Sequence, residues 1–303
     1  MKNEIKLFSL LKTLQFIINH PLNKNNKSRA LISFIRWQIG SRLVPGSVIY
    51  EWINGSKFIV TNGQEGLTGN IYTGLHEYND MAFLLHFLRK NDIFIDCGAN
   101  LGSYSILAGA AIGAMGYAYE PTPSFYIKLK DNMRLNYIDH RFYCSNKFIG
   151  AQEGEISFVI NKKSKNRALA PEEKPAGAIK VKVTTLDNDL INISPNLIKI
   201  DVEGYEFPIL RGALKILKKK SLNAVIIELN GSGKRYGWDD REVLDLMLNN
   251  NFSTYTYDPL KRRLLKLNNK VSKQSNTLFV RNIDYVMDRL KSAPYFKAQN
   301  KII

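Results

Sequence analysis

Four acidic side chains stand at or beside the ends of short apolar runs in the sequence. Asp96, Glu120, Asp201 and Glu228 each accompany a run of the kind that forms a buried parallel strand. In open α/β sheets, ligands bind outside the carboxyl ends of the strands, so we expect these four acids to face one crevice. Carboxylates gathered there would favour a ligand that carries positive charge.

The first of these runs continues into a glycine-containing turn. The stretch from Ile93 to Gly102 passes from apolar residues to Gly98 and Gly102, which let the chain turn sharply before a helix starts. About 20 residues after this turn, Glu120 ends a second apolar run, at the point where such folds use a carboxylate to accept ribose hydroxyls. The spacing indicates a nucleotide-binding sheet and a ligand with a free ribose diol.

The identity of the ligand depends on the glycines that are missing. The dinucleotide fingerprint G-x-G-x-x-G starting at Gly98 would need glycine where the chain has Asn100 and Ser103. A pyrophosphate would be poorly accommodated, whereas S-adenosylmethionine brings no phosphate to the helix. We therefore predict S-adenosylmethionine, with Asn100 as a polar contact and Gly98 leaving room for its amino-acid end. A turn that binds no ligand is the alternative.

Composition sets wide bounds on the partners. The chain of 303 residues is 45% hydrophobic and carries a formal net charge of +16. This charge indicates an anionic partner, such as nucleic acid, acidic lipid or an acidic glycan, unless it reflects only a lysine-rich bacterial proteome.

Cys97 and Cys144 lack metal-ligand spacing, and we expect them to be buried thiols of a reducing compartment. No zinc spacing appears elsewhere, so no metal site is predicted.

The chain divides into three predicted parts. Residues 1–71 form a helical and hairpin extension, residues 72–281 the cofactor-binding domain, and residues 282–303 a basic tail. Leu7, Leu11, Leu14 and Ile18 recur at helical spacing, which predicts an amphipathic helix that packs on the domain or lies at a membrane interface. Asn54-Gly55 between two apolar runs predicts a hairpin with a primed turn.

Alternating strand and helix patterns predict an α/β, doubly wound sheet. Residues 142–149 are predicted as its third strand, and residues 155–160 as an added antiparallel edge strand. Residues 197–201 and 224–229 are predicted as the fourth and fifth strands. Residues 252–257 and 277–280 are predicted as a terminal pair.

Three side chains are candidates for the transfer chemistry. Methyl transfer to a hydroxyl needs alignment and a base that takes the proton, and Asp201 or His76 could be that base. Asp201 could instead hold the ammonium group of the cofactor, and His76 could simply pack or bind substrate. Glu203 could reach the substrate, or it could be a first-turn acid of the following helix.

At these residues the chain resembles a known family. Residues 95–102, Tyr119-Glu120-Pro121, Thr185-Leu186-Asp187 and above all Ile198 to Gly204 are similar to the FkbM family of S-adenosylmethionine-dependent methyltransferases. The resemblance runs from about Tyr72 to Val280 and includes the lead-in Gly74 to Glu77. It departs from the family pattern at Cys97, where valine or isoleucine is common.

The resemblance implies a class I methyltransferase (Rossmann-like) fold and O-methylation, often of a sugar. It places Asp96, Gly98, Asn100 and Glu120 around the cofactor, and we add Gly102, Glu77 and Asp201 to that set. The resulting prediction is an O-methyltransferase that modifies a sugar hydroxyl of a bacterial surface glycan or its precursor. Glu77 or Glu203 would position neighbouring hydroxyls of the acceptor.

The alternative function is a methyltransferase that modifies nucleic acid, or a nucleic-acid-binding protein. The basic residues are not interleaved with stacking aromatic residues, so no nucleic-acid partner is expected. We expect a cytoplasmic protein that also meets the inner face of the membrane, because its basic N-terminal helices and C-terminal tail would attract anionic lipid.

Overall fold

The structure is a computed structural model. It describes residues 2–61, 64, 66–160, 166–170, 172–173, 177–274, 276–299 and 301–303, without the side chains of residues 2–7 and 9. Within these residues, no helix has both the length and the apolar character needed to cross a membrane.

Helices and a hairpin form the N-terminal part of the chain. They are α1 (Lys2–Asn19), α2 (Lys27–Leu43), β1 (Ser47–Glu51), β2 (Lys57–Thr61), α3 (Thr68–Thr73) and α4 (Tyr78–Phe87). Between β1 and β2, Asn54 and Gly55 take left-handed φ values of 52° and 77°, and the Ser56 N–H donates to the Ile53 carbonyl at 3.0 Å. The predicted primed turn is therefore confirmed.

The first helix differs from its prediction in the face that it buries. Ile17 of α1 is fully buried and Leu14 packs partly against the core, whereas Leu11 is 54% exposed. The side chain of Leu7 lies outside the described residues. The helix was predicted correctly, but its apolar stripe is only partly used for packing.

The first half of the main domain alternates strand and helix. Its elements are β3 (Ile93–Cys97), α5 (Ser103–Ile106) with π-helical turns over Leu107–Ile112, β4 (Met115–Tyr119), α6 (Pro123–Leu135) and β5 (Phe142–Ser145). A second, smaller set follows and consists of β6 (Phe148–Ile149), β7 (Gly154–Val159), β8 (Arg167–Ala168), β9 (Ile179–Thr184) and α7 (Leu186–Asp189).

The second half of the chain completes the main sheet. Its elements are β10 (Leu197–Ile200), α8 (Glu206–Arg211), α9 (Leu214–Leu217), β11 (Ala224–Glu228), a 3-10 segment (Ser232–Tyr236), α10 (Asp240–Asn249), β12 (Ser253–Asp258), β13 (Arg263–Lys266) and β14 (Asn276–Val280). The C-terminal residues form α11 (Ile283–Lys291), β15 (Lys297–Ala298) and β16 (Lys301–Ile302).

Among the described residues, eight strands form the main sheet in the order β13-β12-β14-β11-β10-β3-β4-β5. The five strands from β11 to β5 are parallel, and β14 runs antiparallel between β11 and β12. The chain winds outward from β3 to β5 and then returns to build the other half from β10. This is the α/β, class I methyltransferase (Rossmann-like) fold that was predicted, and its topological switch point lies between β3 and β10.

Both faces of the central strands β3, β10 and β11 are buried. Phe94 and Leu197 point into a core that includes α4, α5 and α6, whereas Ile95 and Ile198 point into a core that includes α8 and α10. The first core also contains Ile17 and other residues of the N-terminal extension. The N-terminal extension and one face of the sheet therefore share one packed core.

The prediction of the third strand was wrong in one respect. Residues 142–149 do not form one strand, because β5 ends at Ser145 and β6 belongs to a separate sheet in the order β6-β9-β7-β8. The strand predicted as an added antiparallel edge strand is β7. It is antiparallel to β9 and β8, but it lies between them and is not an edge strand. β9 pairs with both β6 and β7, so it sets the position of the chain after β5.

Candidate functional site

The switch point brings the glycine turn and the end of β10 into backbone contact. The Asp201 N–H donates to the Cys97 carbonyl at 3.0 Å. Gly98 has a φ of 82°, and a Cβ there would lie 2.0 Å from the Asp201 carbonyl oxygen. Only glycine satisfies both conditions, so Gly98 places residues 96–102 directly beside Asp201.

Glu120 joins the glycine turn to the next turn of the sheet. Its Oε2 accepts the Asn100 N–H at 2.9 Å, and its Oε1 accepts the Thr122 N–H at 2.8 Å. The residue is 5% exposed, and burial raises the pKa of its carboxyl to about 7, although the bonds from Thr122 and Asn100 oppose this shift. A carboxylate offers about four acceptor positions, so Glu120 can accept a ligand hydroxyl beside its bonds from Asn100 and Thr122.

A buried lysine lies beneath the site. Lys199 is 3% exposed, pairs in register with Asp96, and places its Nζ 2.7 Å from Oδ2 of Asp201. Its ammonium also lies 4.6 Å from the ring centre of Tyr104. Burial alone would lower the pKa of Lys199, but Asp201, Glu77 and Asp96 outweigh it and raise that pKa above its usual value.

Asp96 is enclosed within the same group of charges. It is 1% exposed, and its Oδ2 accepts the Ser105 hydroxyl at 2.6 Å. Burial raises the pKa of Asp96 to about 6, while Lys199 and Ser105 oppose the shift. Asp96 is therefore held among buried groups next to the glycine turn.

Glu77 joins this group from the N-terminal side. Its Oε2 accepts the Tyr104 hydroxyl at 2.7 Å, and its Oε1 accepts the Asn276 amide at 2.9 Å. Asn276 also donates to Asp80 at 3.1 Å, and burial together with Glu77 raises the pKa of Asp80 to about 7. Glu77 thus links α4, α5 and β14.

Three carboxylates meet at the ends of β10 and β11. Selected oxygens of Asp201, Glu203 and Glu228 lie within 4.8 Å of one another. Such a cluster can accept several hydroxyl groups, and its geometry would also suit a divalent cation. The sequence predicted no metal-binding residue, and this stays a prediction.

The turn that carries Glu203 is tightly held. Glu203 takes a left-handed φ of 59°, and the Glu206 carboxylate accepts the N–H groups of Val202 at 3.2 Å and of Gly204 at 3.1 Å. The Gly204 carbonyl accepts the Trp238 indole N–H at 2.8 Å. Glu206, rather than Glu203, thus holds the N–H groups of the turn before α8.

The contacts of His76 are with residues of the N-terminal extension. Its ring centre is 4.9 Å from that of Phe16 in α1, and a Cβ on Gly69 would lie 2.3 Å from its Nδ1. Its backbone N–H donates to the Asn70 side chain at 2.8 Å. These contacts agree with the packing alternative for His76, and the carboxylate cluster described above does not include it.

Sequence reasoning missed Lys199, Tyr104 and Asn276. Lys199 stands in an otherwise apolar strand, two positions before Asp201, and this was the one available signal. A charged residue on the buried face of a strand requires a partner, and Asp201 lies on the same face.

A family model described as the methyltransferase FkbM domain matches residues 96–254, which is more than half of the chain. The protein belongs to this family. It is thus an S-adenosylmethionine-dependent methyltransferase, and the resemblance found in its motifs is confirmed.

One curated relative is the hexuronic acid methyltransferase AglP of Haloferax volcanii. It is 26% identical to this FkbM-family protein over 185 residues, which cover 59% of the chain and 70% of AglP. Two solved structures are more distant. A putative transferase from Pyrococcus horikoshii matches with a TM-score of 0.40 and 13% identity, over 77% of this chain and 71% of that one. An S-adenosylmethionine-dependent O-methyltransferase from Thermotoga maritima matches with a TM-score of 0.39 and 12% identity, over 80% of this chain and 94% of that one.

Proposed function

We propose that this protein methylates a sugar hydroxyl of a surface glycan or its precursor. The observation that carries the proposal is the cluster of Asp201, Glu203 and Glu228 beside the glycine turn. A polyhydroxylated acceptor can donate hydrogen bonds to these carboxylates, whereas a phosphate would be repelled by them. The similarity to a hexuronic acid methyltransferase supports a sugar acceptor.

The residues around the glycine turn fit S-adenosylmethionine, which supplies a methyl group on a sulfonium cation. Glu120 would accept the ribose hydroxyls, because a carboxylate offers about four acceptor positions and the bonds from Asn100 and Thr122 do not use them all. Asn100 would add a polar contact, and Gly98 and Gly102 would let the turn approach the ligand. Asp96 and Glu77 would contribute negative charge, with Asp201 nearest the amino-acid end.

Asp201 is the proposed base, with its role in holding the cofactor ammonium as the alternative. Its Oδ2 is fixed 2.7 Å from the Lys199 ammonium, and 26% of the side chain's surface stays exposed. Glu203 would position neighbouring hydroxyls of the acceptor. General-base assistance is typically worth about a hundredfold or more in rate.

The acceptor is tested by following labelled methyl from S-adenosylmethionine into nucleotide sugars, glycolipids, RNA and protein of a lysate. Label in a sugar-containing fraction, removed by glycosidase or acid hydrolysis as a methylated sugar, is expected. Label that appears only in RNA or protein would overturn the proposal and favour the nucleic-acid or protein alternative.

The base is tested with Asp201→Asn, compared with Asp245→Asn at an exposed position of α10. Single-turnover rate with bound cofactor should fall about a hundredfold in Asp201→Asn and stay unchanged in the control. If cofactor affinity falls while turnover of bound cofactor survives, Asp201 is a binding residue and another group is the base.

A further inference from the structure

Helix α2 has two unlike faces. Ala30, Phe34 and Ser41 are buried, and Phe34 packs against Tyr72 of α3 with ring centres 5.1 Å apart. Successive residues turn by about 100° along a helix, so the opposite side is formed by residues near positions 32, 35, 39 and 43. That side consists of aliphatic residues in contact with solvent.

The exposed face, which we name the α2 stripe, is defined by four residues at helical spacing. They are Ile32, Ile35, Ile39 and Leu43, and their exposed fractions are 48%, 53%, 55% and 76%. Single exposed aliphatic residues are ordinary on protein surfaces. A continuous row of exposed aliphatic residues along a helix is unusual. Such a row marks a surface that binds another protein or a membrane.

The charges beside the α2 stripe have one sign. Helical spacing places Arg29 and Arg36 along one side of the stripe and Arg42 along the other. Residues 5–50 contain seven Lys or Arg and no Asp or Glu. A second copy of the chain seated face to face would bring like charges together without carboxylates to offset them, whereas an anionic surface would attract all of them.

We propose that the α2 stripe docks the protein in the plane of an anionic lipid surface. The aliphatic side chains enter the boundary between head groups and acyl chains, and the arginines on both sides bind lipid phosphates. The helix is held to the body of the protein through Phe34 and through the Gln38 amide, which donates to the Tyr72 hydroxyl at 3.0 Å. The docked face therefore fixes the orientation of the whole molecule.

The test is flotation of the full chain with vesicles of phosphatidylcholine alone or with phosphatidylglycerol added. The wild-type protein is expected to bind the anionic vesicles and to lose binding at high salt, because exposed charges are screened beyond about 10 Å at 0.1 M salt. The double variant Ile32→Gln/Ile39→Gln is expected to bind about tenfold more weakly, because two inserted side chains are lost. Ile127→Gln, at a residue of α6 that is 59% exposed, is the matched control and should bind normally.

Three results would overturn this proposal. The first is absence of vesicle binding at low salt, and the second is equal binding of the double variant and the wild type. The third is a stable dimer in sedimentation that the double variant abolishes, which would identify a second copy as the occupant. Methyl transfer to a water-soluble acceptor serves as the folding control, since the α2 stripe contains no residue placed in the site.

Discussion

At the scale of single residues, the site is governed by how burial and charge act on its carboxylates. Asp96 and Glu120 are both nearly enclosed, and burial raises their pKa values to about 6 and about 7. A positively charged ligand with hydroxyl donors interacts best with the ionised forms of these acids. Binding of that ligand should therefore release protons near neutral pH.

This gives a prediction for Glu120. Cofactor affinity should rise as pH increases through about 7, because Glu120 loses its proton there, and should level off above that range. Glu120→Gln should remove most of this dependence and weaken binding at about pH 8 by roughly 1 to 3 kcal/mol. Calorimetric titration at several pH values measures both effects.

The control for this experiment is Glu155→Gln, at an exposed position of β7. It should keep the wild-type affinity and pH profile. If Glu120→Gln binds as tightly as the wild type at high pH, Glu120 does not contact the cofactor.

The partners of Lys199 could be predicted only in part from the sequence. The sequence places Lys199 two residues before Asp201, and this pair is local. Its other partners, Glu77 and Asp96, come from positions far along the chain, and Tyr104 comes from a third element. Because tertiary packing alone brings these four elements together, no spacing in the sequence could have indicated the buried group of charges.

At the scale of elements, the ends of β3 and β10 approach each other closely at Gly98 and Asp201. Gly98→Ala should destabilise the protein more than Gly55→Ala. Both residues have positive φ, which costs an L-residue about 1 to 2 kcal/mol, but only the Cβ at position 98 would meet backbone, 2.0 Å from the Asp201 carbonyl oxygen. The added overlap should cost about 1 to 3 kcal/mol more.

Urea unfolding of the two glycine variants measures this difference in the free energy of unfolding. Both variants have an alanine at a positive φ, and only Gly98→Ala also has the contact with the Asp201 carbonyl. Cofactor affinity should also fall in Gly98→Ala and stay normal in Gly55→Ala. Equal free energies of unfolding for the two variants would mean that the glycine turn moves away from β10 at little cost.

The prediction of elements from sequence succeeded where the signals were local. The main-sheet strands β3, β4, β10 and β11 and the Asn54-Gly55 turn follow from apolar runs and turn residues. The small sheet of β6, β7, β8 and β9 did not, because its order depends on pairing β6 with β9 across the residues between them. A short apolar run near the end of β5 carries no information about which sheet it joins.

At the scale of the whole molecule, the extension and the main sheet share one core, so they should unfold together. Phe34 is 8% exposed in α2, and Phe34→Ala should lower the free energy of unfolding by about 3 kcal/mol. Trp37 reports on the extension, and Trp238 reports on the opposite face of the sheet. Variants that retain only one of these tryptophans should show the same shift of the unfolding midpoint.

Phe8→Ala provides the comparison, because Phe8 is 60% exposed and its loss should change the midpoint little. A shift seen by Trp37 and absent at Trp238 would show that the extension unfolds on its own. The predicted boundary at residue 71 would then separate two parts of the chain that unfold independently.

The C-terminal residues return to the beginning of the chain. The Lys301 ammonium donates to the Pro21 carbonyl at 2.7 Å, across 280 positions of sequence. Phe296 and Ile303 are buried in the same core as Ile17. During synthesis the N-terminal part emerges from the ribosome before residues 296–303, so the surface around Ile17 lacks these partners until they have been translated. The apolar surface around Ile17 is therefore expected to stay exposed in the nascent chain during that interval, when chaperones can bind it.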